Sequence, residues 1–517
     1  MTATTPRVLD GDALADAVIR IREPVHIVVG EDGGVGAVVG DPSGRRVLTT
    51  LPALYPEWLG DRAFGEVHGV RFPYVAGEMA HGISTPAMVV EMAKAGMFGF
   101  YGAAGVPLDQ VSDAVTTLRA ALPGRENWGV NLIHAPHHPR WEQGMVDVLL
   151  KTGVRAVSTS AFMDLTPSVV QLAASGLRAD ADGRVVRRVH LLPKLSRPEV
   201  ARQFLAPPPR VMLDALCAEG RITAEEADLA ARVPVAEDIT VEADSGGHTD
   251  NRPLVSLLPR IHALADEQSR LHGWPAARIG AAGGLGTPAA VAAAFAAGAA
   301  YVVTGSINQT CVEAGVCDAA KELLAAADVV DVIMAPSADM FELGVRVQVL
   351  RRGTMFGPRA NLLHRLYTEY PSLEAIPQAD RRRLETTIFG TTLDDVWAQT
   401  REYWASRDTE RLSRAEADPK LRMALVFRWY LGQASWWPIR GETSRRNDFQ
   451  LWCGPATGAF NEWVRGSFLA DPADRGVVQV ARNLLEGAAV VTRAHQLRTY
   501  GVPVPSRAFH FVPRRLA

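Results

Sequence analysis

Two glycine-bearing segments stand close together in the chain: Ala281-Ala282-Gly283-Gly284-Leu285-Gly286 and, past an alanine-rich stretch, Thr304-Gly305-Ser306. Glycine lets backbone N–H groups approach an anion closely, and the amide dipoles at a helix start favour negative charge. Ala282, Gly283, Gly284, Thr304, Gly305 and Ser306 are therefore candidates to grip one phosphate. Either segment alone reads as readily as a tight turn; both together, on neighbouring strand ends, favour the phosphate. A second segment, Glu242-Ala243-Asp244-Ser245-Gly246-Gly247-His248, ends in an imidazole that can serve as an acid or hydrogen-bond donor. Taken by itself, His248 is more simply a cap on the following helix. Glu242 and Asp244 occupy alternate positions from which both can hydrogen-bond a ligand, and no metal is expected there. A third segment, Gly77-Glu78-Met79-Ala80-His81-Gly82, pairs with Asn131. Backbone amides at Gly77, Met79 and Ala80 and the Asn131 side chain could surround the edge of a flat heteroaromatic ring. Lys194 could bring positive charge to a ring that gains an electron pair. Singly these are weak, since Met79 is more often core and Lys194 more often a surface residue with a buried stem. His134, His137 and His138 in NLIHAPHHP lack a carboxylate at ligating spacing and read as a loop near a substrate entrance.

What must position these residues is a run of short apolar segments between about Arg71 and Ser306: RFPYVAG, FGFYG, WGVNLI, AVSTS, VHLLPKL, DITVEAD, ARIGAAGG and AAYVVTG. Each is apolar along its length, as strands covered on both faces should be. Helical segments lie between them, such as STPAMVVEMAKAG from Ser84 and LDQVSDAVTTLRAAL from Leu108. Thr287-Pro288 supplies an N-cap and first-turn proline, and Gly96, Gly153 and Gly298 stand where helices should stop. Eight strand–helix units over about 250 residues select an α/β (β/α)8 TIM barrel over a doubly wound open sheet. The candidate residues then collect at strand C-terminal ends, where such barrels carry their sites. The chain divides into a β-rich element over 1–70, the barrel over 71–330 and a helical region over 331–517. An inserted pair of helices over about 205–235 is expected on the site face, because it interrupts the connection between strands five and six.

The remaining totals exclude more than they identify. Of 517 residues, 47% are hydrophobic and 21% charged, which places the chain among folded globular proteins. A net charge of -3 argues against a general nucleic-acid or membrane-surface binder. The four cysteines form no CxxC pair, so a reduced, cytoplasmic setting is expected. The start MTATTPRVLDGDAL has no secretory pattern, and no apolar run approaches the ~20 residues that span a bilayer.

The segments GEMAHGISTPAMVVEMAKAG, GVNLI, EADSGGHTDNRP, AAGGLGTPAAVAAAFAAGAAYVVTGSINQ and MAPSADMFELGVRVQVLRRGTMFGPRA resemble the PfaD-type proteins. These are enoyl reductase subunits of polyunsaturated fatty acid synthases and trans-acting enoyl reductases of polyketide synthases. More distantly, the barrel portion is similar to FMN-dependent bacterial enoyl reductases and nitronate monooxygenases. The resemblance implies FMN, with NADPH (or NADH) as hydride donor, and an enoyl thioester delivered by an acyl carrier protein; a homodimer is one assembly open to it. It implies flavin contacts at Gly77, Met79, Ala80, Asn131, Lys194, Gly246 and Gly247, and phosphate contacts at Gly283, Gly284, Gly305 and Ser306. His248 is the candidate proton donor and Lys194 its rival. The first motif departs from the family where His81 replaces a usual asparagine, the position of one ring-edge hydrogen bond. The insertion and the C-terminal helices are expected to cover the barrel mouth and receive the pantetheine arm. Three other readings stay open: a nitronate-type oxidase using oxygen, a non-catalytic synthase component, and a flavin-free lyase gripping a substrate phosphate.

Overall fold

The eight apolar runs form the strands Tyr74–Ala76, Phe98–Tyr101, Trp128–Ile133, Ala156–Ser160, a fifth in two halves (His190–Leu191 and Lys194–Leu195), Asp238–Glu242, Arg278–Ala282 and Val302–Thr304. All pair in parallel, and the first pairs with the eighth. The two halves of the fifth strand end the hydrogen-bonded series. Pro193 lies between them and has no N–H to donate. Its carbonyl accepts from Thr240 N (2.8 Å) on the sixth strand, while Leu192 N donates to Val157 O (2.9 Å) on the fourth. One strand thus closes the ring, which makes the fold a barrel and not an open sheet. This description comes from a computed structural model and covers residues 8–30, 33–136 and 138–516.

Alternation along each strand decides what faces the lumen. Val75, Phe98, Phe100, Ala156, Leu192, Ala282, Tyr301 and Val303 form one buried cluster. Two inward glycines make room for its rings: a Cβ at Gly129 would lie 2.4 Å from the Phe100 ring, and one at Gly280 2.3 Å from the Tyr301 ring. Helix Arg62–His68 plugs the floor. Phe64 stacks on Tyr301 with centroids 4.1 Å apart, and His68 Nε2 lies 3.0 Å from Asp238, which Arg278 grips with two N–H groups. Two residues beyond the apolar layer, the same alternation brings Gly77, Asn131, Ser158, Lys194, Gly284 and Gly305 to the opposite rim.

The insertion forms as two helices, Arg210–Ala218 and Ala224–Ala230, turning at Gly220 (φ +67°). Its expected position over the mouth is wrong. Helix Pro198–Phe204 comes first and completes the fifth strand–helix unit, so the insertion lies on the return from helix to sixth strand, at the strands' N-terminal ends. There it packs on helix Pro167–Ala174, with Glu226 accepting from Gly176 N and Arg232 donating to Gly183 O. Placing the inserted pair directly on the exit from the fifth strand, ahead of that strand's own helix, is what puts it at the wrong end.

The chain forms two compact units. The first holds the barrel, the described residues before it, and the chain from Glu462 onward. Strands Val25–Val29, Val35–Val39 and Arg46–Leu51 make an antiparallel sheet with Val25–Val29 central. Ile27 and Ala37 of that sheet, with Leu14 and Val18 of helix Gly11–Ile19, bury against Val490, Ala494 and Leu497 of the last helix, Val477–Thr499. That helix also lies against Pro288–Ala296, where a Cβ at Gly487 would come within 2.6 Å of Pro288. The second unit comprises Asp244–Asn251 and Gly315–Asn461. Within the region read as helical it also holds strands Val332–Pro336 and Arg346–Leu350, joined by Gly247–His248 in an antiparallel sheet. The tryptophan-rich segment is helix Pro419–Arg440, which buries Phe427, Tyr430, Leu431 and Trp437. Among the described residues no helix is long and apolar enough to cross a membrane.

Candidate functional site

The seventh and eighth strands are hydrogen-bonded neighbours, so their glycine ends share one part of the rim. Gly283 and Gly284 take φ values of +85° and +74°, which suit glycine, and nothing lies within 4 Å of where a Cβ on Gly284 or Gly305 would stand. Among the described residues, the N–H groups of Gly284 and Gly305 donate to no acceptor. Ser306 opens a 3-10 turn, where a first N–H has no partner inside the turn. Helix Pro288–Ala296 starts just beyond, capped by Thr287 Oγ1 accepting from Ala290 N (3.3 Å). Two neighbouring backbone segments thus carry unengaged amide donors. Ala282 and Thr304 stand behind them: Ala282 lies in the apolar cluster, and the Thr304 hydroxyl is engaged by Tyr74 OH (2.6 Å) and Asn308 Nδ2 (3.2 Å).

On the first strand's end, Gly77 N donates to Thr304 O (2.8 Å), and a Cβ there would meet Val303 Cγ1 at 2.8 Å. The Gly77 N–H is therefore committed, and its lack of a side chain makes room for Val303. Met79 is buried and Ala80 half-buried in the following turn. His81 has φ +58°, a left-handed conformation that asparagine and histidine adopt more readily than most residues, so the backbone there tolerates either. Its ring packs over Gly105, where a Cβ would lie 2.4 Å away. Gly102 is tighter still, since a Cβ would fall 1.7 Å from the Met79 carbonyl oxygen. Gly102→Ala must push the Met79–Ala80 turn aside and is expected to cost about 1–3 kcal/mol. Urea unfolding reads this directly, and an unchanged midpoint would refute the close approach. Asn131, 2% exposed, accepts from Ala103 N (2.7 Å) and Ala104 N (3.2 Å) through Oδ1. That fixes the amide, and its Nδ2 makes no hydrogen bond among the described residues.

Lys194 has unforeseen company. Its Nζ lies 3.1 Å from Glu78 Oε1 and 3.1 Å from Glu242 Oε1, and Ser158 Oγ donates to the same Glu78 oxygen (3.0 Å). Burial works against the lysine charge, but the carboxylates of Glu242 and Glu78 outweigh it and hold the ammonium above the ordinary lysine value. Lys194 is therefore a fixed positive charge, ill matched to proton transfer near neutrality. Sequence reasoning misses Glu78 and Ser158. Alternation could find Ser158, two residues after inward Ala156, but nothing in the spacing says that Glu78 reaches across to the fifth strand.

The other candidates lie in the second unit. His248 does not cap a helix, since the next helix, Leu254–His272, has Pro253 at its N-cap. Instead it pairs with Val347 across the small sheet, and its Nε2 stands 3.1 Å from Ser337 Oγ and 3.4 Å from Asp339 Oδ1. Ser337 Oγ in turn donates to Asp339. The carboxylate that orients the imidazole thus comes from MAPSAD, far along the chain. Gly247 has φ +86°, and a Cβ on Gly454 would reach within 3.0 Å of Gly246 N. Asp244 accepts from Gln348 Nε2 (2.8 Å) and Asn251 Nδ2 (2.9 Å), so Asp244 and Glu242 each have partners of their own. In the first unit, His134 does have a carboxylate: Glu142 Oε2 lies 2.9 Å from its Nδ1, while Glu142 Oε1 accepts from Thr166. Residue 137 lies outside the described residues.

The chain matches known proteins over most of its length. The family model described as nitronate monooxygenase matches residues 62–354, more than half of the chain. The one described as the inserted helical domain of [acyl-carrier-protein] S-malonyltransferase matches 370–449. A polyunsaturated fatty acid synthase component of Thraustochytrium sp. is 47% identical over 449 residues, 85% of this chain; the chain spans 30% of that relative's length. The enoyl reductase domain of MlnA, from the macrolactin cluster of Bacillus amyloliquefaciens, is 36% identical with a TM-score of 0.81, covering 86% of this chain and 99% of that one. FabK from Thermotoga maritima shares the fold, with a TM-score of 0.52 at 18% identity over 85% of this chain and 98% of its own. With the barrel, its glycine rims and these matches together, the chain belongs to the nitronate monooxygenase-like, PfaD-type enoyl reductase family of polyunsaturated fatty acid and polyketide synthases.

Proposed function

We propose that this protein saturates the α,β double bond of enoyl thioesters carried by an acyl carrier protein, with FMN at the barrel mouth and NADPH, or NADH, as the hydride source. The observation that supports it most is the pair of adjacent rims, where the N–H groups of Gly284 and Gly305 are unengaged and no atom lies within 4 Å of where a Cβ on either would stand. A dianionic phosphate fits that donor set without a metal. The rim also has what a flavin ring needs at its edge: a spare amide donor on Asn131 and a fixed positive charge on Lys194.

When bound, FMN supplies a two-electron relay that carries hydride from the nicotinamide to the β-carbon of the thioester. The backbone of Gly283, Gly284, Gly305 and Ser306 anchors the phosphate. Asn131 orients the ring edge through Nδ2. Lys194 offsets negative charge and keeps its own proton, which leaves His248 as the proposed donor to the α-carbon. Ser337 and Asp339 hold that imidazole in one orientation through Nε2.

Purified protein is expected to be yellow. NADPH under anaerobic conditions should bleach it, and a crotonyl-pantetheine thioester should then restore the colour without oxygen. An oxidase of the nitronate type would need no nicotinamide, and a protein that both NADPH and NADH leave yellow would overturn the reductase reading.

A further inference from the structure

Among the described residues, Glu78 at the rim keeps a buried carboxylate oxygen without a hydrogen-bond partner. Its side chain is 4% exposed. Oε1 accepts from Lys194 Nζ and Ser158 Oγ, but Oε2 is buried and makes no hydrogen bond among the described residues. A buried carboxylate oxygen with no donor is expensive, and the usual resolution is a group that the site receives. Its place is the lumen: the first strand neighbours only the second and eighth, so contact from its end to Ser158 and Lys194 crosses the barrel interior. Oε2 therefore shares the mouth with the uncommitted amide of Asn131.

We propose that Glu78 is a ligand-binding acceptor, its Oε2 taking a hydrogen bond from an O–H or N–H donor of the molecule held at the barrel mouth. This rests on the FMN reading above. The donor is then a ribityl hydroxyl or the ring N–H of the flavin, not its phosphate.

Glu78→Gln tests it with little change of shape. Lys194 and Ser158 both donate toward Oε1, so the amide must turn its carbonyl to them and present N–H₂ where Oε2 stood. A donor would then face the ligand's donor. Titration of the apoprotein with FMN and with riboflavin, read by flavin fluorescence, is expected to show both weakened by the same factor, roughly tenfold or more. Lumiflavin, which keeps the ring N–H and lacks the ribityl chain, separates the sources: equal weakening assigns the ring N–H, and no weakening assigns the hydroxyls. Ser158→Ala removes only a donor to Oε1 and should change these affinities far less. If the Gln variant does not fold, Glu78→Asp keeps the charge for Lys194 while withdrawing the oxygen, and should weaken both flavins likewise. Unchanged affinities for FMN and riboflavin in a folded Glu78 variant would overturn the assignment while the FMN reading stands. Wild-type protein that binds neither flavin would overturn that reading, and this assignment with it.

Discussion

Gly284→Asp is expected to leave the barrel folded and strip it of FMN. The position has φ +74° and no atom within 4 Å of the added Cβ, so the new side chain meets open space. Aspartate tolerates the left-handed conformation at a cost of about 1–2 kcal/mol. Its carboxylate would stand beside the unengaged rim amides, against the phosphate they are proposed to hold. Two like unit charges about 4 Å apart repel by about 4 kcal/mol at an effective dielectric of about 20. That corresponds to a loss of roughly a thousandfold in affinity, and more for a dianion. Riboflavin has no phosphate and should bind Gly284→Asp nearly as well as wild type. Gly284→Ala should cost only the backbone strain. Dialysed Gly284→Asp that remains fully yellow would remove the phosphate from this rim.

The second large effect is expected from Lys194→Met. The lysine is 16% exposed, and its two carboxylate partners are 4% and 21% exposed. Removing the ammonium leaves Glu78 and Glu242 facing one another in a poorly solvated rim. Breaking a buried ion pair in this way costs about 3–5 kcal/mol. The loss should depend on pH with a definite sign. Two carboxylates left without their cation repel each other, and a proton taken up by either relieves the repulsion. Protonation then favours the folded variant, so stability is retained at low pH and lost as pH rises. Lys194→Met should therefore lie closer to wild type near about pH 5 than near about pH 8. In the wild type, the raised Lys194 value keeps its contribution intact below the ordinary lysine range and removes it only at higher, alkaline pH. Urea midpoints at the two pH values check this. An equal loss at both would mean that the carboxylates are solvated and the cluster is not a buried charge system.

How much of the site is legible follows from which interactions are local. Gly283, Gly284, Gly305 and Ser306 can be found because a phosphate grip needs glycine within a few residues of a strand end and a helix start, and both are written in short segments. The fifth strand reads as one run, VHLLPKL, although Pro193 divides its hydrogen bonding between two neighbours. Glu78 escapes notice within a motif otherwise read closely, because its significance comes from Ser158 and Lys194 on the far side of the lumen. His248 can be singled out, but not Asp339, since their pairing is made by strands formed from distant parts of the chain.

The number and order of the strands, their burial on both faces and the glycine-rich rims are all written in the order of the residues. They follow from patterns within some ten positions, where side-chain period and backbone freedom act directly. Three features exist only once the chain has folded: the ring closes through Pro193, the inserted helices lie at the strands' N-terminal ends, and Lys194 carries two carboxylates. One cause underlies all three. A hydrogen bond or ion pair between chemically ordinary residues leaves no mark on local composition, and only the closed barrel brings its partners within about 3 Å of each other.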